Sequence, residues 1–307
     1  MLKDTRLGTQ TINILVDFLR GRRTILSGSG DGREITMVMI SKVGKDRTRA
    51  KGWRPIVLIN CLLKLMDKVV ANELQNLPVF HAGQYGSRKG RSAIDMAIQA
   101  TIEAQLEKTK RHSHAWALGD IKSAFNYTRK RNVLDRLQEN KRDKDLEGLM
   151  HYIHWFYQPR TADLTWDGEI CKQTTVKSGI PQGSPLLPVL FLIGAAKALE
   201  SIDTRIAREI TSYKIRVYSY VDDFNCTTEQ TASHRPGRHP EAITIARKAR
   251  NIVSEELEKY GWSRDSDKDE EINFGIQREA KWVGIHFTHD LRWKTHCSKR
   301  LNQAKAA

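Results

Sequence analysis

The stretch Tyr218-Ser219-Tyr220-Val221-Asp222-Asp223-Phe224 decides the fold. Tyr, Val and Phe at this density suit a half-buried strand, whereas Asp is disfavoured in strands and costly to bury without a partner. A tight reversal at Asp222-Asp223 resolves the conflict. It sets both carboxylates at a hairpin tip, where one or two divalent cations can neutralise them. An isolated Asp-Asp pair is more often a solvated turn, so the rest of the chain must supply the reason for it.

A third acid comes from His114-Ala115-Trp116-Ala117-Leu118-Gly119-Asp120, a short apolar run that delivers Asp120 at a strand end. Alone, Asp120 reads as a helix cap. With Asp222 and Asp223, three carboxylates from two neighbouring strands of one sheet make a site for two magnesium ions. The residues after Asp120 are expected to form a helix through Leu137, followed by a helical, charged segment from Val133 to Tyr157.

Composition points the same way. The chain has 307 residues, 39% of them hydrophobic, enough for one large domain or two interleaved lobes. Lys and Arg number 51 against 36 Asp and Glu, a net charge of +15. The expected partner is therefore polyanionic: nucleic acid first, an anionic membrane surface second. Cys61, Cys171, Cys226 and Cys297 lie far apart with no Cys-x-x-Cys pair, and the chain opens on no secretory segment. This favours a reducing compartment and argues against a zinc knuckle or disulfide frame. No apolar run approaches the roughly 18 residues of a membrane span, so a soluble protein without a membrane partner is expected.

Outward from the acids, residues 9–20 space Ile12, Leu15, Val16 and Leu19 at helical intervals. Ile35–Ile40 and Trp53–Ile59 read as two strands around a Lys- and Arg-rich loop, a ribbon able to close over phosphates, with Arg54 its least expected charge. Cys61–Leu77 is helical and ends at Pro78. Gly83–Ser92 combines glycines with Arg88, Lys89 and Arg91 before a helix from Ala93 to Lys108. It reads equally as an anion site at a helix N-terminus and as an ordinary N-cap, Ser92 with Asp95. Thr161–Trp166 and Cys171–Val176 flank Asp167-Gly168, a hairpin signal. Ser178–Pro188 is a Pro- and Gly-built rigid turn displaying Gln182, followed by a helix-like run from Val189 to Leu199. Beyond the acids come an exposed loop (residues 234–240), a helix from Glu241 to Tyr260, a solvated acidic stretch (Asp265–Glu271) containing Lys268, a strand and turn at Lys281–Phe287, and a short basic tail. No internal repeat is present.

In this order, Gly52-Trp53-Arg54-Pro55-Ile56, Gln84-Tyr85-Gly86-Ser87-Arg88-Lys89-Gly90-Arg91-Ser92, Asp120–Phe125, Gly179-Ile180-Pro181-Gln182-Gly183-Ser184-Pro185, Tyr220-Val221-Asp222-Asp223 and Lys281-Trp282-Val283-Gly284 resemble the reverse transcriptase domain of non-LTR (LINE-like) retrotransposons, of a fungal-element type. The resemblance implies an α+β right-hand polymerase fold. Its antiparallel palm sheet is backed by helices, with fingers chiefly in residues 1–115, palm in 116–290 and a truncated C-terminal tail, without a thumb, in 291–307. It implies an RNA-directed DNA polymerase acting on an RNA template, a DNA primer and deoxynucleoside triphosphates, with two Mg2+ ions held by Asp120, Asp222, Asp223 and the Ile121 carbonyl. Ser123 and Ala124 N–H groups would face the triphosphate and Phe125 would exclude a ribose 2′-hydroxyl. Arg54 and Gln182 would meet the nucleotide, Lys268 would donate a proton to pyrophosphate, and Arg88, Lys89 and Arg91 would meet nucleic acid.

Asn126 stands where family members usually carry Asp. Only about 20 residues follow the Lys281 motif, and no endonuclease or RNase H segment is evident, so the chain is expected to be a fragment of a longer element-encoded protein. The expected setting is intracellular, in a nuclear or cytoplasmic ribonucleoprotein. The alternative expectation is a decayed, catalytically silent nucleic-acid-binding remnant. A mobile-intron type of reverse transcriptase fits Arg54-Pro55-Ile56 less well.

Overall fold

A computed structural model describes residues 34–42, 44, 46–49, 52–59, 61–139, 146–166, 169–176, 182–231, 239–274 and 279–306. The helix expected over 9–20, the Asp167-Gly168 turn, residues 178–181 and most of the loop at 234–240 lie outside them. The described chain is α+β and divides into two compact units, residues 1–80 with 125–194 and residues 81–124 with 195–307.

The first unit holds a four-stranded sheet built from β1 (Glu34–Ser41), β2 (Trp53–Leu58), β4 (Arg160–Trp166) and β5 (Glu169–Val176), in the order β2-β1-β4-β5. The expected ribbon is there: β1 and β2 pair antiparallel, Ile40 opposite Arg54. The two strands close around Gly52, where a Cβ would stand 2.0 Å from the Asp46 carbonyl oxygen. The expected β4-β5 hairpin also forms, with a bulge at Leu164/Thr165. Helices α1 (Cys61–Gln75), α3 (Lys130–Gln138) and α4 (Leu146–Phe156) lie in this unit. Its core gathers Leu63, Met66, Val70 and Leu74 of α1 with Val133, Leu137, Ile153 and Phe156. Each such fully buried side chain contributes about 1.5–3 kcal/mol relative to exposure.

Two helical expectations are corrected. The residues after Asp120 do not run into a helix. They form turns to Tyr127, and α3 begins at Lys130. Ser123 sits at φ 49°, outside the right-handed helical region, which stops propagation. The segment expected as helical from Val133 to Tyr157 is two helices, α3 and α4.

The second unit holds the sheet β6-β7-β3-β8, from β6 (Tyr213–Tyr220), β7 (Asp223–Gln230), β3 (Ala115–Asp120) and β8 (Glu270–Asn273), all neighbours antiparallel. Every residue of β3 is buried, so it reads as a continuous apolar run rather than an alternation. One side of the sheet packs Trp116, Leu118 and Tyr218 with Met96, Ala97, Ala100 and Ala104 of α2 (Ala93–Thr109), and with Trp282 and Phe287 of the hairpin β9 (Glu279–Trp282) and β10 (Ile285–Thr288). Helix α6 (His239–Tyr260) lies on β3 and β7 with Ala242, Ala246, Ala249 and Val253 buried. It starts earlier than expected and takes in His239 and Pro240. The Val189–Leu199 run belongs to a longer helix, α5 (Leu187–Glu209), within which the two units meet in sequence. The basic tail is a helix, α7 (Lys294–Ala306).

Candidate active site

Asp120 closes β3, and the register sets it directly opposite Asp223, the first residue of β7. Opposed residues of an antiparallel pair share a face, so their carboxyl groups are neighbours. Tyr220 pairs with Asp223 across the hairpin, which makes Val221-Asp222 its two-residue loop. The reversal thus falls one residue earlier than the sequence suggested, because Asp223 keeps its place in the ladder with both Tyr220 and Asp120. Val221 has φ 58°, the pattern of a type II′ turn, in which the first loop position belongs to glycine. A β-branched residue there is strained by an amount of order 1–3 kcal/mol, and surrounding bonds must hold it. Two do: the Ile121 N–H donates to the Asp222 carbonyl at 2.9 Å, and the Ser219 hydroxyl donates to the Val221 carbonyl at 3.2 Å.

Residues 83–86 brace the same turn. The Ser219 N–H donates to the Gly83 carbonyl and the Tyr85 N–H to the Ser219 carbonyl, each at 2.8 Å, so this segment runs beside β6. Gly86 then lies against the turn itself, where a Cβ would stand 2.6 Å from the Val221 nitrogen. Arg88 donates to the His81 carbonyl (3.2 Å) and Arg91 to the Gln84 carbonyl (3.0 Å), the Arg91 guanidinium lying 4.9 Å from the centre of the Tyr85 ring. Lys89 is exposed. Of the two readings of this segment, the cap is present: Ser92 and Asp95 form a reciprocal capping box at α2.

The chain leaving α6 returns along the end of β3. Trp262 Nε1 donates to the Ala124 carbonyl (3.0 Å), the Lys122 N–H to the Ser263 carbonyl (2.8 Å) and the Asp265 N–H to the Asp120 carbonyl (2.8 Å). A short 3-10 turn, Ser266–Lys268, then brings the Lys268 ammonium to 2.6 Å from Asp120 Oδ2 and 3.5 Å from Asp265 Oδ2. Partial burial works against the Lys268 charge, but the carboxylates of Asp120 and Asp265 outweigh it and hold its pKa above the usual lysine value. The acidic stretch around Lys268 is not simply solvated as expected. Glu271 pairs with Arg250 and Arg247, each at 2.7 Å, and Asp269 with Arg250 at 3.5 Å. The nearly buried Arg250 also donates to the Leu118 carbonyl of β3 at 3.2 Å. Sequence reasoning missed Asp265 and Arg250, since nothing in a run of acids shows which of them face a distant helix.

The electrostatics are those of crowded acids. Burial, then the charges of Asp222 and Asp120, push Asp223 up to about 7. Burial and then Asp120 raise Asp222. The donors are all oxygen, the set that suits Mg2+, Ca2+ or Mn2+ rather than zinc. Among the described residues no three His, Cys, Asp or Glu side chains converge as a ready-made metal cluster. Asp120 is engaged by Lys268, and the repulsion that raises Asp223 is the kind a bound divalent cation relieves. The carboxylates of Asp120, Asp222 and Asp223 are of the chemical kind that such an ion takes. Of the other predicted residues here, Ser123 is exposed in its left-handed conformation, and Ala124 is buried with its carbonyl taken by Trp262.

Arg54, Phe125 and Gln182 belong to the first unit. Arg54 is exposed on β2, and Phe125, half-buried, meets Phe191 edge to face at 5.8 Å. The Gln182 carbonyl accepts the Val57 N–H of β2 at 2.7 Å.

An antiparallel sheet that ends in paired acids and is backed by helices is the palm of right-hand polymerases. A solved structure of apo telomerase from Candida tropicalis, truncated from its C-terminal domain, superposes with a TM-score of 0.58 over 88% of this chain and 56% of that one, at 15% identity. Residues 40–287 match the family described as Reverse transcriptase (RNA-dependent DNA polymerase), and the chain belongs to it. Reverse transcriptases work with divalent metal ions. Curated relatives are reverse transcriptases of non-LTR retrotransposons. One is the Retrovirus-related Pol polyprotein from type-1 retrotransposable element R2 of Popillia japonica, 25% identical over 190 residues, 60% of this chain and 26% of that protein. Another is the RNA-directed DNA polymerase from mobile element jockey of Drosophila melanogaster, 24% identical over 199 residues, 62% of this chain and 20% of that protein. The chain thus spans between 20% and 26% of the length of these relatives.

Proposed function

We propose that this chain is the polymerase portion of a non-LTR retrotransposon protein, an RNA-directed DNA polymerase that extends a DNA primer along an RNA template. The observation that carries the reading is the register of Asp120 opposite Asp223, with Asp222 held beside them in a strained turn. Two Mg2+ ions, when bound there, would activate the primer 3′-hydroxyl and neutralise charge on the triphosphate and leaving pyrophosphate.

The protein's own part is placement. Asp120, Asp222 and Asp223 hold the cations, together with the Ile121 carbonyl. Lys268, fully charged and already beside Asp120, is the proton donor to the leaving pyrophosphate. The Ser123 and Ala124 N–H groups and Arg54 bind the triphosphate, Gln182 contacts the incoming nucleotide, and Phe125 excludes a ribose 2′-hydroxyl. Arg88 and Arg91 brace the segment behind the turn and, with exposed Lys89, meet nucleic acid.

The test is extension of a labelled DNA primer annealed to RNA by the purified chain. The expected result is Mg2+-dependent incorporation that is stopped by chelation and strongly prefers deoxynucleotides. Salt-sensitive RNA binding without incorporation in Mg2+ or Mn2+ would contradict it and leave a silent binding remnant.

A further inference from the structure

The turn that carries Gln182 is fastened on both sides by residues of the first unit. On one side its backbone runs against β2. Beyond the bond from Val57 to the Gln182 carbonyl, Gly183 adopts φ 140°, and a Cβ there would stand 2.3 Å from the Val57 carbonyl oxygen. On the other side is Ser184. Its hydroxyl donates to Asp67 Oδ2 at 2.6 Å, while its oxygen accepts the Leu186 N–H at 3.0 Å, which closes a turn just ahead of α5.

Asp67 is an unexpected residue where it stands. It lies on the inner face of α1 among Leu63, Met66 and Val70, and is 0% exposed. Its second oxygen accepts the Tyr152 hydroxyl of α4 at 2.7 Å. Burial dominates and raises the Asp67 pKa to about 6, opposed by the hydrogen bonds from Ser184 and Tyr152 and then by the charge of buried Arg160. Removing the carboxylate would leave the Tyr152 and Ser184 hydroxyls and buried Arg160 without their partner, so it contributes to stability as well as to the turn. What the carboxylate does that an apolar side chain cannot is to accept a hydrogen bond from the residue two places after Gln182.

We propose that Asp67 is a positioning residue which, through Ser184, fixes the turn presenting Gln182 and thereby sets the affinity for the incoming nucleotide. The proposal rests on the reading of Gln182 as a nucleotide contact. It adds a residue from α1 that belongs to none of the motifs that suggested that reading. The carboxylate and Tyr152 tie α1 to α4, and Ser184 joins the turn to both, so the turn is held to the core of its unit as well as to β2.

The experiment compares wild type with Asp67→Leu, Asp67→Asn and Ser184→Ala by two readouts. Amide exchange is followed at Val57 and across residues 182–187, and primer extension gives kcat and KM for the deoxynucleotide. The expected result is that Asp67→Leu melts lower, exchanges faster at these amides by more than that loss of stability accounts for, and raises KM about tenfold with kcat little changed, the loss of one charge-assisted hydrogen bond. Asp67→Asn, which keeps an acceptor, should recover part of the loss. Exchange in Asp67→Leu no faster than its lost stability accounts for overturns the clamp, and faster exchange with unchanged KM overturns its link to nucleotide affinity. If Asp67→Leu does not fold, Ser184→Ala, which deletes one atom, decides by the same two readouts. If wild type incorporates nothing, the reading of Gln182 falls by itself, and exchange alone decides the clamp.

Discussion

Gly86 and Val221 meet backbone to backbone: a Cβ on Gly86 would stand 2.6 Å from the Val221 nitrogen and 2.7 Å from its Cγ2. The first contact is with backbone and cannot be relieved by rotating a side chain, and Val221 is already held at positive φ. Gly86→Ala should therefore displace the turn that carries Asp222, destabilising the protein by about 1–3 kcal/mol as an overpacked site does. Incorporation should fall at least about tenfold, a displacement of the reacting geometry being costly. Urea midpoints and primer extension check both. An unchanged variant would show that the segment before α2 does not hold the turn.

Lys268 holds an ion pair with Asp120 and is also the proposed acid, and two substitutions separate these parts. Lys268→Arg keeps a cation for Asp120 but offers no proton near neutral pH, whereas Lys268→Ala removes both. Both variants should lose about 10²-fold or more in kcat, the usual contribution of a positioned proton donor, with nucleotide KM changing much less. A Lys268→Arg protein with wild-type kcat would leave Lys268 only the role of counter-charge.

Two buried groups oppose one another in the pH dependence of stability. Trp116 Nε1 donates to His114 Nε2 at 2.8 Å, so the ring's proton sits on Nδ1, which bonds the Thr228 carbonyl. Burial, partly offset by that carbonyl, pushes the His114 pKa down to about 4. The unfolded chain then binds the extra proton first, and this stability, full above roughly pH 6.5, is lost as pH falls toward 4. Asp67, raised to about 6 by burial, has the opposite sign, since the folded chain holds its proton longer and stability falls as pH rises from roughly 4 to 6. Each effect is of order 3 kcal/mol. In wild type they largely cancel between roughly pH 4 and 6. Asp67→Asn should expose the acid loss due to His114, and His114→Gln the opposite slope. Parallel urea midpoints for all three proteins across that window would contradict this assignment.

Much of this arrangement was legible in the sequence, where local chemistry permits few choices. Asp120 at the end of an apolar run, the acid pair after Tyr220-Val221, the β1-β2 ribbon and the hairpin β4-β5 are each specified by alternation, turn residues and a bounded length. The errors share a physical cause. The helix expected after Asp120 is prevented by turns whose partners, Trp262 and Ser263, lie far along the chain. The acids around Lys268 looked solvated because Arg247, Arg250 and Arg264 reach them from helix α6 and the segment after it. The one-residue shift of the reversal depends on Asp223 pairing with Asp120, a contact between strands about a hundred residues apart. Asp67 gave no signal because an acid within a helical pattern normally faces water.

The central claim is that Asp120, Asp222 and Asp223 form one cation site that drives polymerisation, and it is tested most directly with Asp223→Asn. Primer extension on an RNA template should be followed over a full Mg2+ titration, beside the wild-type protein. The account predicts a variant at least as stable as wild type, since a repelling charge is gone, with no incorporation at any Mg2+ concentration. Wild-type incorporation by that variant would contradict it.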